Sequence, residues 1–313
     1  MKNQMKLSII IISYNTCQMT LNCLSSIYKQ TKLSDAEIIV LDNNSSDSSV
    51  VEIQKQFPDI KLVALTENIG FSRGNIECIK YAKGDYLLLL NPDTIVLNNG
   101  IDRLLSFAMN NEEAGIWGGK TLFSDLSLNP SSCWGKMTVW NLICRAMGLT
   151  AVFKNSEFFN SEAYGGWLRD NERKVDIVSG CFFMLKFSTW KQLNGFDETF
   201  FMYGEEADLC LRAKKLGYQP MITNEAEIIH FGGASEANKA DKMVKLLKAK
   251  IMLIRKHWPT VAAPAGIFLM ALWPFTRMII FKLLNMIIKD KYCQKQQMWN
   301  DIWLKRNDWL SGY

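Results

Sequence analysis

The chain opens on an apolar run. Leu7-Ser8-Ile9-Ile10-Ile11-Ile12-Ser13 is almost continuously aliphatic and β-branched, the pattern of a parallel strand covered on both faces. Tyr14-Asn15 ends it, and a helical pattern follows to Tyr28. A second strand is predicted over Glu37–Leu41. It runs into Asp42-Asn43-Asn44-Ser45-Ser46-Asp47, a loop rich in helix-capping residues, and a helix follows to Phe57. A third strand is expected near Lys61–Leu65, a helix over Ser72–Lys83 and a fourth, very apolar strand over Asp85–Leu90 that stops at Asn91-Pro92-Asp93. Strands alternating with helices predict βαβ units in a mostly parallel α/β sheet with flanking helices. Such sheets bind ligands at the loops that follow the carboxyl ends of their strands.

The pattern weakens over 124–174, which reads as a loop-and-helix insertion holding Trp134, Trp140 and Trp167. Regularity returns at Val175–Leu185, expected as a strand or strand pair. A helix near Ser188–Leu193, a helix over Glu205–Leu216, a strand over Tyr218–Thr223 and a late strand ending in Ile228-Ile229-His230 follow. From Glu236 the texture changes. Met243, Leu247, Ile251 and Ile254 recur at helical spacing among lysines, predicting a basic amphipathic helix. Trp258–Thr276 is 19 residues without a charge, and the apolar run resumes after Arg277 to Ile288, interrupted by Lys282. A bilayer span needs about 20 apolar residues. Pro259, Pro264 and Pro274 are expected to break the run, so segments lying in the membrane interface, or a re-entrant hairpin, are favoured over one clean span. A buried hairpin or homodimer surface is the plainer alternative. Trp299, Trp303 and Trp309 among lysines suit anchoring at a headgroup layer. The expected division is a sheet domain over 1–235 and a helical membrane-association segment over 236–313.

Charge sharpens that division. Residues 236–313 hold 14 Lys/Arg against 5 Asp/Glu, while the first 235 residues hold 22 against 26. An acidic body with a basic, apolar tail predicts an anionic partner for the tail. A membrane surface fits; nucleic acid does not, because the middle of the tail is uncharged. With 48% hydrophobic residues the chain is not disordered. The eight cysteines are scattered singly with no CxxC pair, which excludes zinc-ribbon and thioredoxin readings and suits a reducing compartment. No signal peptide is read at the polar N-terminus, so a cytosolic-facing chain is expected.

Candidate chemistry gathers at strand ends and helix starts. Asp42 ends the second strand, Asp93 follows the fourth, Glu205, Glu206 and Asp208 open a helix, and His230 ends a late strand. Each has a plain local reading. Asp93 suits a turn, His230 a core position and Glu205-Glu206 the helix dipole, and Asp208 and Arg212 suit a surface pair at i, i+4. Dinucleotide-fold, P-loop and nucleophile-elbow glycine patterns are missing, and only two histidines occur, His230 and His257. Asp93 and His230 together with a substrate diphosphate could hold Mg²⁺ or Mn²⁺.

The order of these pieces resembles family 2 glycosyltransferases with the GT-A fold, especially the rhamnosyltransferase-like branch of O-antigen and cell-wall polysaccharide enzymes. The matching stretches are SIIIISYN at 8–15, IIVLDNNSSDSS at 38–49, ENIGFSRGN at 67–75, GDYLLLLNPDT at 84–94, VSGCFFMLK at 178–186, GFDETFFMYGEEADLCLRAKKLGY at 195–218, IIHFGGAS at 228–235 and RKHWP at 255–259. The resemblance implies that Ser13, Tyr14, Asn15 and Asp42 hold the base and ribose of a nucleotide-sugar. Asn68, Gly70, Phe71 and Arg73 would flank the nucleotide. Asn91 and Asp93 stand where the family has Asp-x-Asp, so Asp93 would bind the metal, with His230 completing that site. Glu205-Glu206 stands at the family's Glu-Asp pair, whose second carboxylate is the general base. Glu206 is one methylene longer than the usual Asp, and Glu205 and Asp208 stay open as bases.

The expectation is an inverting hexosyl- or deoxyhexosyl-transferase. It would move a sugar from a dTDP- or UDP-linked donor to a lipid-diphosphate-linked saccharide, at the cytoplasmic face of the plasma membrane. Attachment would be peripheral or monotopic, and a homo-oligomer stays open. The competing expectations are a soluble transferase acting on protein, and an inactive sugar-nucleotide-binding or scaffolding subunit of a polysaccharide assembly complex.

Overall fold

A computed structural model of the protein describes residues 6–232, 238–288 and 291–313. Gly233, Ala234 and Ser235, which end the IIHFGGAS stretch, and the expected boundary at 235/236 lie outside the described residues. The chain forms two compact units. One comprises residues 1–134, 168–201 and 205–235, the other residues 135–167, 202–204 and 236–313.

The first unit is an α/β sheet. In chain order its elements are β1 (Leu7–Ser13), α1 (Cys17–Gln30), β2 (Ala36–Asp42), α2 (Ser49–Gln56), β3 (Lys61–Ala64), α3 (Gly70–Ile79), β4 (Tyr86–Leu90), β5 (Thr94–Leu97), α4 (Gly100–Asn110) and β6 (Ile116–Leu122). Strands β3, β2, β1 and β4 lie side by side and parallel, as the apolar runs predict. Every residue of β1 and β4 is buried. The sheet then turns mixed. Beyond the short β7 (Leu128–Asn129), β8 (Cys133–Trp134), β9 (Arg173–Lys174) and β10 (Ile177–Val178), strand β11 (Phe182–Lys186) pairs antiparallel with both β4 and β6. Helix α7 (Phe187–Gln192) and helix α8 (Glu205–Lys215) precede β12 (Met221–His230). Strand β12 runs parallel to β6 and antiparallel to β5. Hydrophobic pattern did not predict β5 or β6. Strand β6 carries two buried glycines, Gly118 and Gly119, where a Cβ would strike Val178 and Phe182, so close packing rather than apolar side chains specifies it.

The second unit is helical. To number its elements in step with the sheet, α5 (Val139–Met147) and α6 (Leu149–Val152) come from the expected insertion, and α9 (Lys239–His257), α10 (Ala263–Ile287), α11 (Cys293–Leu304) and α12 (Arg306–Leu310) from the tail. The insertion is thus shared: residues 135–167 group with the tail, and its short strands belong to the sheet. The shared core is built on Leu142, Leu247, Ile251, Ile254, Met270 and Ile302. The apolar face of α9 therefore packs inward, and lysines cover its outside. Two sequence expectations change here. Pro259 lies in the turn between α9 and α10, but the other two prolines do not break the run, because Pro264 sits in the first turn of α10, where no donor is needed, and the helix continues through Pro274. Trp299 and Trp309 do not face a headgroup layer; both are core residues, and the Trp309 indole N–H donates to the Ile302 carbonyl.

A buried ion cluster ties the segments of this unit together. Glu162 accepts from Arg145 of α5 at 2.6 Å and from Lys250 of α9. The Arg145 guanidinium lies 4.8 Å from the Trp273 ring centroid of α10. Burial pushes the Glu162 carboxyl up, but Arg145 and Lys250 together hold it below its usual range. Replacing Glu162 by Gln removes the carboxylate shared by two partly buried cations and is expected to cost about 1.5–3 kcal/mol. Urea unfolding at pH 7 measures it. The cluster's contribution is complete above the free carboxyl value of 4.5 and is lost as pH falls through the lower folded value. The gap between wild type and Glu162→Gln should therefore close in acid.

Candidate active site

The site is assembled where β1, β2 and β4 end together. At the end of β2 the Asp42 Oδ2 atom accepts the Ser45 amide at 2.8 Å, while its Oδ1 is buried without a partner. The loop after β1 is stitched to the same loop. The Asn15 amide donates to Ser45 Oγ at 2.9 Å, and the Ser46 amide donates to Asn15 Oδ1 at 2.7 Å. Ser13 is buried, with its hydroxyl at 3.0 Å from that of Thr20, and Tyr14 is exposed at the mouth. The Ser13-Tyr14-Asn15 segment and Asp42 therefore share one polar rim.

Asn43, which the sequence reading passed over, holds the next segment in place. Its Oδ1 accepts the Ile69 amide at 3.0 Å, and its Nδ2 donates to Asn68 Oδ1 at 2.9 Å and to the Gly70 carbonyl at 3.2 Å. Asn68 caps the turn by accepting the Gly70 amide. Gly70 needs its lack of a side chain: φ is +83° and a Cβ would sit 2.7 Å from the Phe201 ring. The Phe71 amide donates to the Phe201 carbonyl at 3.0 Å. Arg73 lies on the exposed side of α3, 3.2 Å from Glu198. Asn68, Gly70 and Phe71 are thus locked beside Asp42, and Arg73 is held outward by an exposed pair.

Strand β4 delivers Asn91-Pro92-Asp93. The Asn91 amide donates to the Cys181 carbonyl at 3.1 Å, and its side-chain Oδ1 is buried without a partner. Asp93 Oδ1 lies 3.4 Å from His230 Nε2, and the Phe231 amide donates to the Asp93 carbonyl. The pairing of β12 with β5, which sets His230 opposite Thr94, makes this contact. Burial pushes the Asp93 carboxyl up, but the His230 imidazole bonded to it holds it below its usual range. Burial disfavours charge on His230, yet the Cys181 sulfur and the Asp93 carboxylate beside it hold the imidazolium up to about 10. His230 Nδ1 is buried and unpartnered.

Helix α8 supplies the carboxylates. Gly180, in the turn before β11, packs against Glu206: its Cβ position lies 3.6 Å from the Glu206 side chain, ordinary van der Waals contact. The neighbouring Cys181 bonds Asn91 through its carbonyl and influences His230 through its sulfur. One turn, Gly180-Cys181, thereby brings Glu206 together with Asn91, Asp93 and His230. Neither residue of that turn was singled out as functional from sequence; the apolar pattern around them reads only as strand. Glu205 is buried with Oε2 unpartnered. Burial and the charge of Glu206 push its carboxyl well above the usual range. Asp208 is fully buried rather than on the surface. It accepts from Arg212 Nε at 2.7 Å, and Arg212 also donates to the Gly195 carbonyl.

Chemically, the rim at Asp42 offers an unpaired acceptor to a ring N–H. Asp93 offers a carboxylate oxygen, and His230 would offer a ring nitrogen once a bound cation displaces its proton, beside the unpaired Asn91 oxygen. Among the described residues no cluster of three or more His, Cys, Asp or Glu side chains could hold an ion alone. The pair therefore fits a divalent ion that takes its remaining ligands from phosphate oxygens.

Comparison with known proteins finds relatives in both sequence and fold. The chain is 26% identical over 205 residues to an N-acetylglucosaminyl-diphospho-decaprenol L-rhamnosyltransferase of Mycobacterium tuberculosis, covering 62% of this chain and 66% of the relative. It is 27% identical over 239 residues to the O-antigen biosynthesis protein RfbC of Myxococcus xanthus, covering 74% of this chain and 18% of that protein. The rhamnosyltransferase WbbL of Escherichia coli is 27% identical over 173 residues, 52% of this chain and 61% of WbbL. The chain thus spans from under a fifth to about two thirds of these relatives. In fold it is similar to the mannosyltransferase PcManGT of Pyrobaculum calidifontis, solved with GDP-Man and Mn²⁺. The TM-score is 0.60 at 13% identity, covering 97% of this chain and 87% of that one. The family model for glycosyl transferase family 2 matches residues 8–191, more than half of the chain. With a GT-A fold and its polar clusters gathered at the strand ends, this chain belongs to glycosyl transferase family 2.

Proposed function

We propose that the protein is an inverting glycosyltransferase that moves one sugar from a nucleoside-diphosphate donor to a hydroxyl of a lipid-diphosphate-linked saccharide. The observation that carries this reading is the Gly180-Cys181 turn, which joins a carboxylate on α8 to the Asp93–His230 pair. Relatives named for diphospho-decaprenol and diphosphoundecaprenol acceptors support the acceptor class. Rhamnosyltransferase names among them favour a deoxyhexose donor.

In this reading Asp42 accepts the imide N–H of a pyrimidine base, the bond its unpaired Oδ1 lacks. Asn15, Asn68, Gly70 and Phe71 shape the walls of the nucleotide pocket, and Arg73 swings from Glu198 toward phosphate. Asp93 and His230 would hold Mg²⁺ or Mn²⁺, which supplies charge stabilisation to the departing diphosphate. Asn91 replaces a carboxylate and lowers the negative charge there, leaving its carbonyl oxygen for the donor. Glu206 takes the proton of the attacking hydroxyl. Asp208 is committed to Arg212, and Glu205, whose carboxyl is pushed well above the usual range by burial and by the Glu206 charge, leaves its unpaired Oε2 for the acceptor sugar. One base suffices for a direct displacement, which inverts the anomeric centre. The outward apolar face of α10 and the lysines of α9 would hold the enzyme on the cytoplasmic leaflet, where such an acceptor resides.

Three outcomes are expected. Asp42→Ala should weaken nucleotide binding by about 1–3 kcal/mol in calorimetry, since a buried donor of the base loses its partner. Chelation should abolish turnover, and Asp93→Ala should cut it roughly 10²–10³-fold; full activity in excess EDTA overturns the metal role. Glu206→Gln should lower turnover by roughly 10²–10⁴ with donor affinity unchanged, while Glu206→Asp keeps measurable activity. Near-normal turnover of Glu206→Gln with an inactive Glu205→Gln moves the base by one position.

A further inference from the structure

We infer that the membrane-binding surface of the helical unit is composite: residues 139–158 form a second lipid-inserting element beside α10. The inference rests on the reading that α10 meets lipid, and it adds a segment that lies more than a hundred residues earlier in the chain.

The outward face of α10 comes first. Phe268, Phe275, Ile279, Leu283 and Met286 are exposed and follow one another at spacings of seven, four, four and three residues, an unbroken apolar stripe. It spans about 27 Å at 1.5 Å per residue. The opposite face packs on α5, α9 and α11 through Met270, Trp273 and Met278. Lipid cannot surround such a helix, so α10 lies along the interface rather than crossing the bilayer alone.

The insertion is fixed to the middle of α10, on the side away from that stripe. Thr276 Oγ1 donates to the Ala146 carbonyl at 2.8 Å, and Arg277 Nη2 donates to the Arg145 carbonyl at 3.1 Å. Gly148, with φ +83°, lies against the Arg277 guanidinium. From this anchor the chain presents Met147, Val152, Phe153 and Phe158, all exposed; Val152 is 72% and Phe158 65% exposed. These side chains are not loosely disposed. Trp140 lies 5.0 Å from Phe158 and donates its indole N–H to the Phe158 carbonyl, and Phe153 stacks on Phe159 at 4.7 Å. A rigid aromatic cluster held outward beside an outward apolar helix is unlike a soluble surface.

Charge names the occupant. Residues 135–160 and 263–288 together carry five Lys or Arg and one carboxylate, Glu157. Lys136, Lys154 and Lys282 are exposed. Aliphatic and aromatic side chains flanked by lysines match an anionic lipid surface. A second copy of the chain would bring the same positive charge against them.

The test uses the full chain and vesicles of phosphatidylcholine with about a third phosphatidylglycerol, separated by flotation. Val152→Asp/Phe158→Asp, both at exposed positions, should lower partitioning by at least about tenfold, because two buried apolar groups become charged. Its turnover on a short-chain, water-soluble acceptor should be unchanged. Phe268→Asp/Leu283→Asp should lower partitioning as well. Wild-type partitioning of the insertion variant, with loss in the α10 variant, overturns the composite surface and leaves the α10 reading standing. Retained partitioning in both variants overturns the α10 reading and this inference with it. A wild-type dimer in light scattering that the insertion variant converts to monomer, at unchanged partitioning, assigns the patch to self-association and likewise overturns the inference.

Discussion

A strand buried on both faces can place polar chemistry only at its ends. That constraint governs the sheet unit. Strands β1 and β4 are covered along their whole length, so Tyr14 and Asn91, the residues that follow them, are the first to leave the covered sheet. Because β1, β2 and β4 run parallel and in register, those points fall on one edge. The loops there must satisfy their own backbone, and Asn15, Asn43 and Asn68 do so with side-chain amides. What is left over is informative. Asp42 Oδ1, Asn91 Oδ1, Glu205 Oε2 and His230 Nδ1 are buried and unpaired on this unit. Burying such atoms costs about 1–3 kcal/mol each, a cost that a ligand with matching groups removes.

The parallel half of the sheet was legible because a doubly covered strand leaves a continuous apolar run, and Asp42 and Asp93 stand where those runs stop. The antiparallel half was not. Strand β6 is specified by Gly118 and Gly119, whose importance lies in the side chains they admit, Val178 and Phe182, far away in sequence. The same blindness hid Gly180 and Cys181: a residue that packs against Glu206 and a backbone carbonyl that holds Asn91 have no local signature. Asn43 sat within a legible loop but reads there as one cap residue among several. In the tail, the aromatic residues were visible and their direction was not. A tryptophan among lysines suits an interface or a core equally, and the packing of α11 and α12 on α9 decided for the core.

Electrostatics divides the carboxylates of α8 by environment rather than by type. Asp208 gains a guanidinium, Glu205 gains only burial and a like charge, and Glu206 is half-buried against Gly180. Three acids within four residues thereby acquire three surroundings: a guanidinium partner, a buried site beside a like charge, and a half-buried place against Gly180.

The helical unit draws its core from two stretches separated by some seventy residues of sheet, and this bears on how the chain is made. When residues 135–167 leave the ribosome, the partners of Leu142 on α9, α10 and α11 do not yet exist. The sheet strands that follow are synthesised and can pair while this segment waits, with Phe153 and Phe158 in water. Closing the unit then requires a long-range loop whose entropy is due before any contact rewards it. The Glu162–Lys250 pair is made only at that step. A nascent chain of this design carries a sticky aromatic segment while the sheet strands after it are added, and an early encounter with the bilayer or with a chaperone would shelter it.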